Sequence, residues 1–570
     1  ARVGSATPAN EQLTSAGTIT VNAGAALRIL SAANIGTTVT TVNTNNDGIG
    51  AIGLGYNGAL PGSVAFASTS GTVDGTLAID VVGYGTAINL GAMGPNNRVY
   101  LGSTSGGNYT AATLGAGAGN AYRLGTGGGT LQINSPVLTG ANSVIIGAVS
   151  GTPGANLIGN GGTVILNTPN AYTLGTTING NATVRIGNAG ALGSGAISFN
   201  SGTLEVNQTG LGVTTTVGLL RPMTIANNIN FSGTGVLSAL AGSGNTIGAF
   251  AADAFIGGGA QTQIDLTLSG AVDLSGATYR ALNVADASRI VTLSGVVSGS
   301  STLVKTGVGI LRLSNGANTY TNTAISQGTL ALSATGNLPG NILLNSGTLA
   351  GWDRNFTVTN NMQLIQNSTI DAGAATTLTS NGIISGDFTY VGAQTGLTKT
   401  GLGTLVLGGA NTYLGATTIN GGVLSIGADN NLGSVGGLNV TPGGVTFGGG
   451  HLAVTTTNTS NRVLTMTGAG SINVAAGQTY TNNALTANST GLLTINGPGT
   501  VILNGNQTGA NLHDNTAISN GATLMTEATA GTPFGDVGVT LNGGSLRVNT
   551  NGPGAAFTIP TVTFAGNGYM

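Results

Sequence analysis

The sequence predicts an all-β protein folded as a single long parallel β-helix, a solenoid with rungs of about 20–25 residues. Three observations lead to this prediction. Short apolar runs such as Leu405–Leu407 alternate in period two and end in Gly, Asn or Thr, which is typical of strands and turns. One long stretch occurs twice. Glycine supplies 102 of the 570 residues and only 5% of residues are charged, whereas about 25% is usual in globular domains.

The duplicated stretch defines the repeat. It reads LVKTGVGILRLSNGANTYTNTAISQGTLALSATGNL from Leu303 and LTKTGLGTLVLGGANTYLGATTINGGVLSIGADNNLGS from Leu397. Both copies contain KTGxG, then GANTY, then an apolar pair after a glycine. Because each copy is built from short strand-like runs, the repeating unit is predicted to consist of strands.

Spacing along the chain gives the length of the unit. Leu166, Leu313, Leu407 and Leu503 occupy one equivalent position, at intervals of 147, 94 and 96 residues. A unit near 95 residues with about four strand clusters predicts the rung length above. We therefore divide the chain into irregular N-terminal rungs (1–150), a repeat region (151–554) with an insertion near 242–289, and a C-terminal tail (555–570).

Alternation assigns an inward face to each strand. It turns Leu405 and Leu407 to one side and Val406 to the other, so aligned leucines from neighbouring rungs form a ladder. The predicted ladder positions are Leu166, Leu313, Leu405, Leu407 and Leu503. Lys305 and Lys399 sit at one equivalent position, which Ile495 fills in the last copy, so no required chemical role is expected for these lysines.

The motifs resemble those of the autotransporter-associated β-strand repeat family. The resemblance is carried by Lys399-Thr-Gly401, Gly403-Thr-Leu405, Asn411-Thr-Tyr413 and Thr418-Ile-Asn-Gly421. It covers residues 155–550, and the first 150 more weakly. It implies a right-handed parallel β-helix in a secreted or surface protein of bacteria. The family's C-terminal membrane barrel is not seen in this sequence.

Composition excludes several classes of function. The net charge is −2, and the 14 Lys and Arg residues are too scattered to neutralise a run of phosphates, so nucleic-acid binding is not expected. Cysteine does not occur, which removes disulfides and thiolate metal sites. No apolar run approaches the roughly 18 residues of a membrane-spanning helix.

Candidate chemical groups are few. Asp265 and Asp286 lie 21 residues apart, so they could stack on successive rungs as a weak metal or catalytic pair with Arg289 beside them. His451 and His513 have no metal-ligand spacing. Gly53–Gly58 fits GxGxxG without a following helix, which indicates a turn. We expect no catalytic residues, no cofactor and no enzyme activity.

These observations favour a non-catalytic extracellular rod that assembles with copies of itself, head to tail, into a filament, surface layer or matrix. The apolar tail residues Phe557, Ile559, Val562 and Phe564 would dock on the next subunit by strand addition. An alternative is a passenger-type adhesin that binds cell surfaces or glycans. A second alternative is a polysaccharide lyase or hydrolase.

Overall fold

The fold is that of a computed structural model. It describes residues 2–3, 17–35, 39–44, 49–67, 73–149, 162–180, 182–200, 202–206, 223–231, 254–256, 265–284, 287–333, 338–386, 394–435, 443–484, 491–504, 516–527, 538–549 and 561–565. Two compact units divide between Leu311 and Arg312. The three segments defined above from the sequence follow a different criterion and stay predictions.

The first unit is built from stacked parallel strands. Its longest sheet contains, in stacking order, Arg2–Val3, Ala26–Ile29, Ala51–Leu54, Gly75–Ile79, Val99–Gly102, Ala121–Leu124, Ser143–Ile146, Thr176–Asn179, Ile197–Asn200, Ile229–Phe231, Val272–Asp273 and Val297–Ser298. A second face stacks Gly107–Tyr109, Thr130–Ile133, Thr163–Leu166, Thr183–Ile186, Gly202–Val206, Ala254–Ile256, Tyr279–Asn283 and Thr302–Thr306.

Shorter stacks of strands complete the first unit. They are Gly17–Val21, Val39–Thr44 and Val64–Phe66; Met223–Ile225, Leu266–Leu268 and Ile290–Leu293; Ile88–Asn89 with Leu114–Gly115; and Thr139–Gly140 with Ala171–Tyr172. Two single turns of 3-10 helix, Ala32–Asn34 and Leu90–Ala92, interrupt the strands.

The second unit has four stacks of parallel strands. The groove sheet contains Asn322–Ile325, Ile342–Leu344, Met362–Leu364 and Ile384–Gly386. The threonine sheet contains Thr329–Leu332, Thr348–Gly351, Ser368–Ala372, Leu397–Thr400, Thr417–Ile419, Val445–Phe447 and Leu464–Met466.

The ten-stranded sheet contains Phe356–Val358, Thr377–Ser380, Thr404–Leu407, Val423–Ile426, His451–Val454, Gly470–Val474, Leu493–Asn496, Thr516–Ser519, Val539–Asn542 and Val562–Phe564. The five-stranded sheet contains Asn458–Ser460, Thr479–Asn482, Thr500–Leu503, Thr523–Thr526 and Ser545–Val548. Ile310–Leu313 spans the boundary between the units, and Asp429–Leu432 is a 3-10 turn.

Strand pairing advances by one rung at a time. Leu405 pairs with Leu424, 19 residues further along, and Leu424 pairs with Leu452 after 28 more. Such steps are the mark of a solenoid, in which each strand is followed by its counterpart on the next turn. The prediction of an all-β parallel solenoid is confirmed. Among the described residues no helix is long and apolar enough to cross a membrane.

Glycines allow neighbouring turns to approach closely. Gly401, which follows the lysine of the repeat, has φ +74°, and a Cβ there would lie 2.2 Å from the carbonyl oxygen of Ala372 on the preceding rung. Only glycine fits such a position without displacing backbone. The Thr-Gly step of KTGxG is therefore required by the corner between two strands.

Candidate binding surfaces

The predicted ladder residues lie in the interior of the two units. The exposed fraction is 0% for Leu166 and Leu405, 1% for Leu407, 2% for Leu313 and 4% for Leu503. In the ten-stranded sheet, Leu405 belongs to one inward column of paired residues: Phe356, Leu378, Leu405, Leu424, Leu452, Ile472, Ile495, Ile518, Leu541 and Phe564. These leucines hold rungs together and offer nothing to a ligand.

Both lysines of the chain are fully buried. The Nζ of Lys399 donates hydrogen bonds to the carbonyl oxygens of Thr400 at 2.5 Å, Gly401 at 2.8 Å and Gly421 at 3.1 Å. Lys305 donates to those of Thr306 and Gly307, each at 2.6 Å. Each ammonium therefore binds backbone carbonyls of the corner that follows its strand.

Burial disfavours the charged form of both groups. It lowers the pKa of Lys305 to about 7. It also lowers the pKa of Lys399 to about 8, against a smaller opposing effect of the Asp371 carboxylate. Lys399 pairs with Ile370 on one side and Ile419 on the other, so its aliphatic stem continues an apolar column. The sequence contained a signal for this, since Lys399 follows Leu397 by two residues and Ile495 replaces it.

The tyrosine of the GANTY motif is a second interior feature that sequence reasoning missed. Tyr413 is fully buried, and its hydroxyl lies 2.7 Å from Oγ1 of Thr417, which in turn donates to the carbonyl oxygen of Leu432 at 3.4 Å. Tyr172 and Thr176 in the first unit form the same pair at 2.5 Å. The motif therefore provides a large buried side chain whose polar end is satisfied.

A buried arginine is a third interior feature. Arg462 is fully buried, and its Nε lies 3.0 Å from Oδ1 of Asp429. The same guanidinium donates to four backbone carbonyls, those of Gly443 at 2.9 Å, Gly433 at 2.9 Å, Ser434 at 3.0 Å and Asp429 at 3.2 Å. With its donors occupied in this way, Arg462 orders a corner and is not accessible to a ligand.

Of the predicted carboxylate pair, the structure describes Asp265. Asp265 accepts a hydrogen bond of 3.0 Å from the backbone N–H of Ile290, and its Oδ1 lies 4.0 Å from Arg289. Asp286 and His513 lie outside the described residues. His451 is exposed, and its Nδ1 lies 2.8 Å from the hydroxyl oxygen of Ser471. In the part of the chain that is described, no group of three or more His, Asp or Glu residues could hold a metal ion.

A column of threonines runs along the outer face of the threonine sheet. Its members are paired in register on successive rungs: Thr329, Thr348, Thr369, Thr398, Thr418, Thr446 and Thr465. All are half-buried, and their hydroxyls have no hydrogen-bond partner among the described residues. With strands about 4.8 Å apart, the column presents a regular, uncharged row of hydroxyls and methyls.

A shallow groove marks the outer face of the groove sheet. Its volume is about 230 Å³, and its lining consists of Asn322, Asn341, Ile342, Leu343, Asn361, Met362, Gln363 and Ser385. We call it the amide groove. No charged side chain lines it, so it differs from the ion-paired corners elsewhere in the second unit.

The predicted assembly residues are partly described. Val562 is half-buried and Phe564 is 54% exposed, whereas Phe557 and Ile559 lie outside the described residues. Val562–Phe564 pairs with Val539–Asn542 of its own chain, so it forms the last described rung of the ten-stranded sheet. Phe564 thereby ends the inward column that begins at Phe356.

Two comparisons with known proteins bear on this architecture. The passenger-associated-transport-repeat family matches residues 303–332 and 397–426, the two copies of the KTGxG…GANTY motif. A stretch of 101 residues is 42% identical to the adhesin BmaC autotransporter of Brucella suis biovar 1 (strain 1330). That stretch is 18% of this chain and 3% of the relative. No solved structure matches the chain.

Both matches agree with the resemblance predicted from the motifs, which is confirmed. They also identify a cell-surface or secreted protein, in agreement with the predicted location. In the second repeat, Lys399 binds backbone carbonyls at a corner, Gly401 allows the preceding rung to approach closely, and Tyr413 fills the interior. The chain carries two passenger-associated-transport repeats of the autotransporter type, built into a parallel β-solenoid.

Proposed function

We propose that the chain is a passenger-type adhesin, a non-catalytic solenoid that binds other surfaces through its uncharged outer faces. The observation that carries this proposal is the threonine column, Thr329 to Thr465, in which seven hydroxyls without a partner among the described residues recur on successive rungs. A row of identical weak contacts suits a repetitive surface, where many simultaneous contacts raise the overall affinity. The Brucella relative is an adhesin, which supports the same function.

The distribution of reactive groups supports a binding role over an enzymatic one. The two lysines and Arg462 are directed into the interior and saturated by backbone carbonyls. Asp80, another buried charge, accepts from Ser103 Oγ at 2.9 Å and from the backbone N–H of Thr104 at 2.7 Å. Groups held in this way stabilise corners and are poorly placed for acid–base chemistry on a bound substrate.

Attachment of coated beads tests the adhesive function. Beads carrying the native chain, beads carrying heat-denatured chain and uncoated beads are incubated with cultured animal cells and with bacteria, and attached beads are counted. The proposal expects native chain to raise attachment severalfold over both controls on at least one type of cell. Equal attachment of native and denatured chain on every cell type would contradict it.

Assembly into filaments is the second candidate. It is favoured by Phe564, the last described member of an apolar column, which is 54% exposed among the described residues although the other members are buried. Stacking of a further rung from another copy would cover it, as expected for heterologous contacts that do not close. Filaments of the full chain in negative-stain images that vanish on deletion of residues 555–570 would support this candidate, and filaments that persist would refute the tail's role.

A further inference from the structure

The amide groove has the regularity of a built site. Its two walls are columns on the outer face of the groove sheet. Leu343, Gln363 and Ser385 are paired in register on three successive strands. The second wall, Asn322, Asn341 and Asn361, is set by backbone hydrogen bonds of 3.0 Å from Thr323 N–H to the Asn341 carbonyl and from Ile342 N–H to the Asn361 carbonyl.

The asparagine amides are held in one orientation. Oδ1 of Asn322 accepts from the backbone N–H of Asn341 at 2.8 Å, and Oδ1 of Asn361 accepts from that of Ile383 at 3.0 Å. Because a backbone N–H requires the oxygen, each amide must present its NH₂ group on the other side. Neither NH₂ group has a partner among the described residues, nor do the side-chain amides of Asn341 and Gln363. The NH₂ groups of Asn322 and Asn361 are therefore donors that lose little conformational entropy on binding.

We propose that the amide groove binds a neutral oligosaccharide. Amide donors and acceptors pair with sugar hydroxyls, and the side chain of Leu343, which lines the groove, offers apolar contact to the C–H face of a ring. The lining carries no charge, so it gives no ion pair to a sialylated or sulfated sugar. A peptide cannot add as a strand across the middle of this face, because Ile342–Leu344 and Met362–Leu364 are each paired with a strand on both sides.

The size of the groove limits the ligand and its affinity. About 230 Å³ is below the roughly 300–1,000 Å³ of pockets for drug-sized ligands. One or two sugar units fill this volume, so each site binds weakly and many chains on one cell surface supply avidity. The inference rests on the proposed adhesive function and names the class of ligand that one of its outer faces takes.

Two substitutions remove ligand contacts without removing the contacts that hold the sheet. Asn361→Asp keeps an oxygen for the Ile383 N–H and loses the NH₂ donor, and Gln363→Leu keeps the approximate size without polar atoms. Asn355→Asp is the matched control, because Oδ1 of Asn355 accepts from Thr377 N–H at 2.8 Å in the same corner geometry, outside the groove. Melting temperatures establish that all three variants fold.

The full chain and these variants are applied to an array of neutral, sialylated and sulfated oligosaccharides, and dissociation constants are measured for each sugar bound. We expect the wild type and Asn355→Asp to bind a neutral oligosaccharide equally, and Asn361→Asp and Gln363→Leu to bind it about tenfold more weakly, as for one lost hydrogen bond. No neutral sugar bound, or equal binding by all variants, overturns the proposal. Bead attachment without sugar binding would overturn only the proposal that the amide groove binds a sugar. Sugar binding without bead attachment would overturn only the proposed adhesive function.

Discussion

The Nζ of Lys399 lies 3.1 Å from the carbonyl oxygen of Gly421, to which it donates a hydrogen bond across two successive rungs. The same ammonium binds two carbonyls of its own corner. One side chain thus fastens the turn after a strand to the turn above it. This is the structural role of Lys399 in the second of the two matched repeats.

The buried lysines predict a rise of stability with pH. Burial lowers the pKa of Lys305 to about 7 and that of Lys399 to about 8, whereas both revert to about 10.4 on unfolding. Between these values the unfolded chain binds more protons than the folded one, so the free energy of unfolding increases with pH. Below the folded pKa values the cost of burying the charge is fully present.

Each lysine adds at most about 1.4 kcal/mol per pH unit across its window. Guanidinium unfolding at pH 7.5 and pH 9.5 measures the slope in the wild type, Lys305→Met and Lys399→Met. We expect each variant to gain less stability than the wild type on going to pH 9.5. Identical slopes in all three proteins would show that these lysines do not titrate inside the fold.

The same burial predicts resistance to amine reagents. Lys305 and Lys399 are the two lysines of the chain and both have an exposed fraction of 0%. An N-hydroxysuccinimide ester should leave both unmodified in the native protein and modify both in denaturant, as read by peptide mass spectrometry. Rapid labelling of Lys399 in the native protein would place its side chain outside the solenoid.

An inward and an outward position on one strand form a matched pair of substitutions. Leu407 is 1% exposed, whereas its neighbour Val406 is half-buried on the outer face. Leu407→Asp leaves a carboxylate in an apolar column and should cost about 4 kcal/mol or more. Val406→Asp should cost about 1 kcal/mol through lower strand propensity. Thermal unfolding measures both, and equal losses would refute the assigned faces.

The tyrosine of GANTY should stabilise the fold through its hydroxyl as well as its ring. Tyr413→Phe removes the 2.7 Å contact with Thr417 and should cost about 1–2 kcal/mol, because Thr417 then loses one buried partner. A double-mutant cycle with Thr417→Val isolates the pair, with an expected coupling of about 1 kcal/mol. Additive effects of the two substitutions, measured by urea unfolding, would mean that the hydroxyls do not interact.

Alternation and repetition in the sequence were enough to predict the architecture. Leu405 and Leu407 follow the period-two rule that any strand with one buried face obeys, so their burial could be read from the chain. The lysines were harder to interpret, since a charged residue is normally assigned to the surface. Lys399 follows Leu397 by two residues and so lies on the same side of the strand, but only the geometry of the corner shows which carbonyls compensate the buried ammonium.

The candidate binding surfaces were less accessible to sequence reasoning. The threonine column joins residues separated by irregular steps, 29 residues between Thr369 and Thr398 but 20 between Thr398 and Thr418, so no fixed period reveals it. The amide groove depends on the orientation of Asn322 and Asn361, which hydrogen bonds from a neighbouring rung decide. Adhesion as the leading function also needed the comparisons, because the sequence alone favoured self-assembly.

Binding of monodisperse chain to intact cells tests the central claim most directly. Fluorescently labelled protein is fractionated to a single-chain mass by light scattering, and cell-bound fluorescence is followed against concentration with unlabelled native and denatured chain as competitors. The account predicts saturable binding by single chains that native protein displaces and denatured protein does not. Binding that is absent from single chains and present only in assembled material would contradict it, and would return the protein to the class of structural filaments.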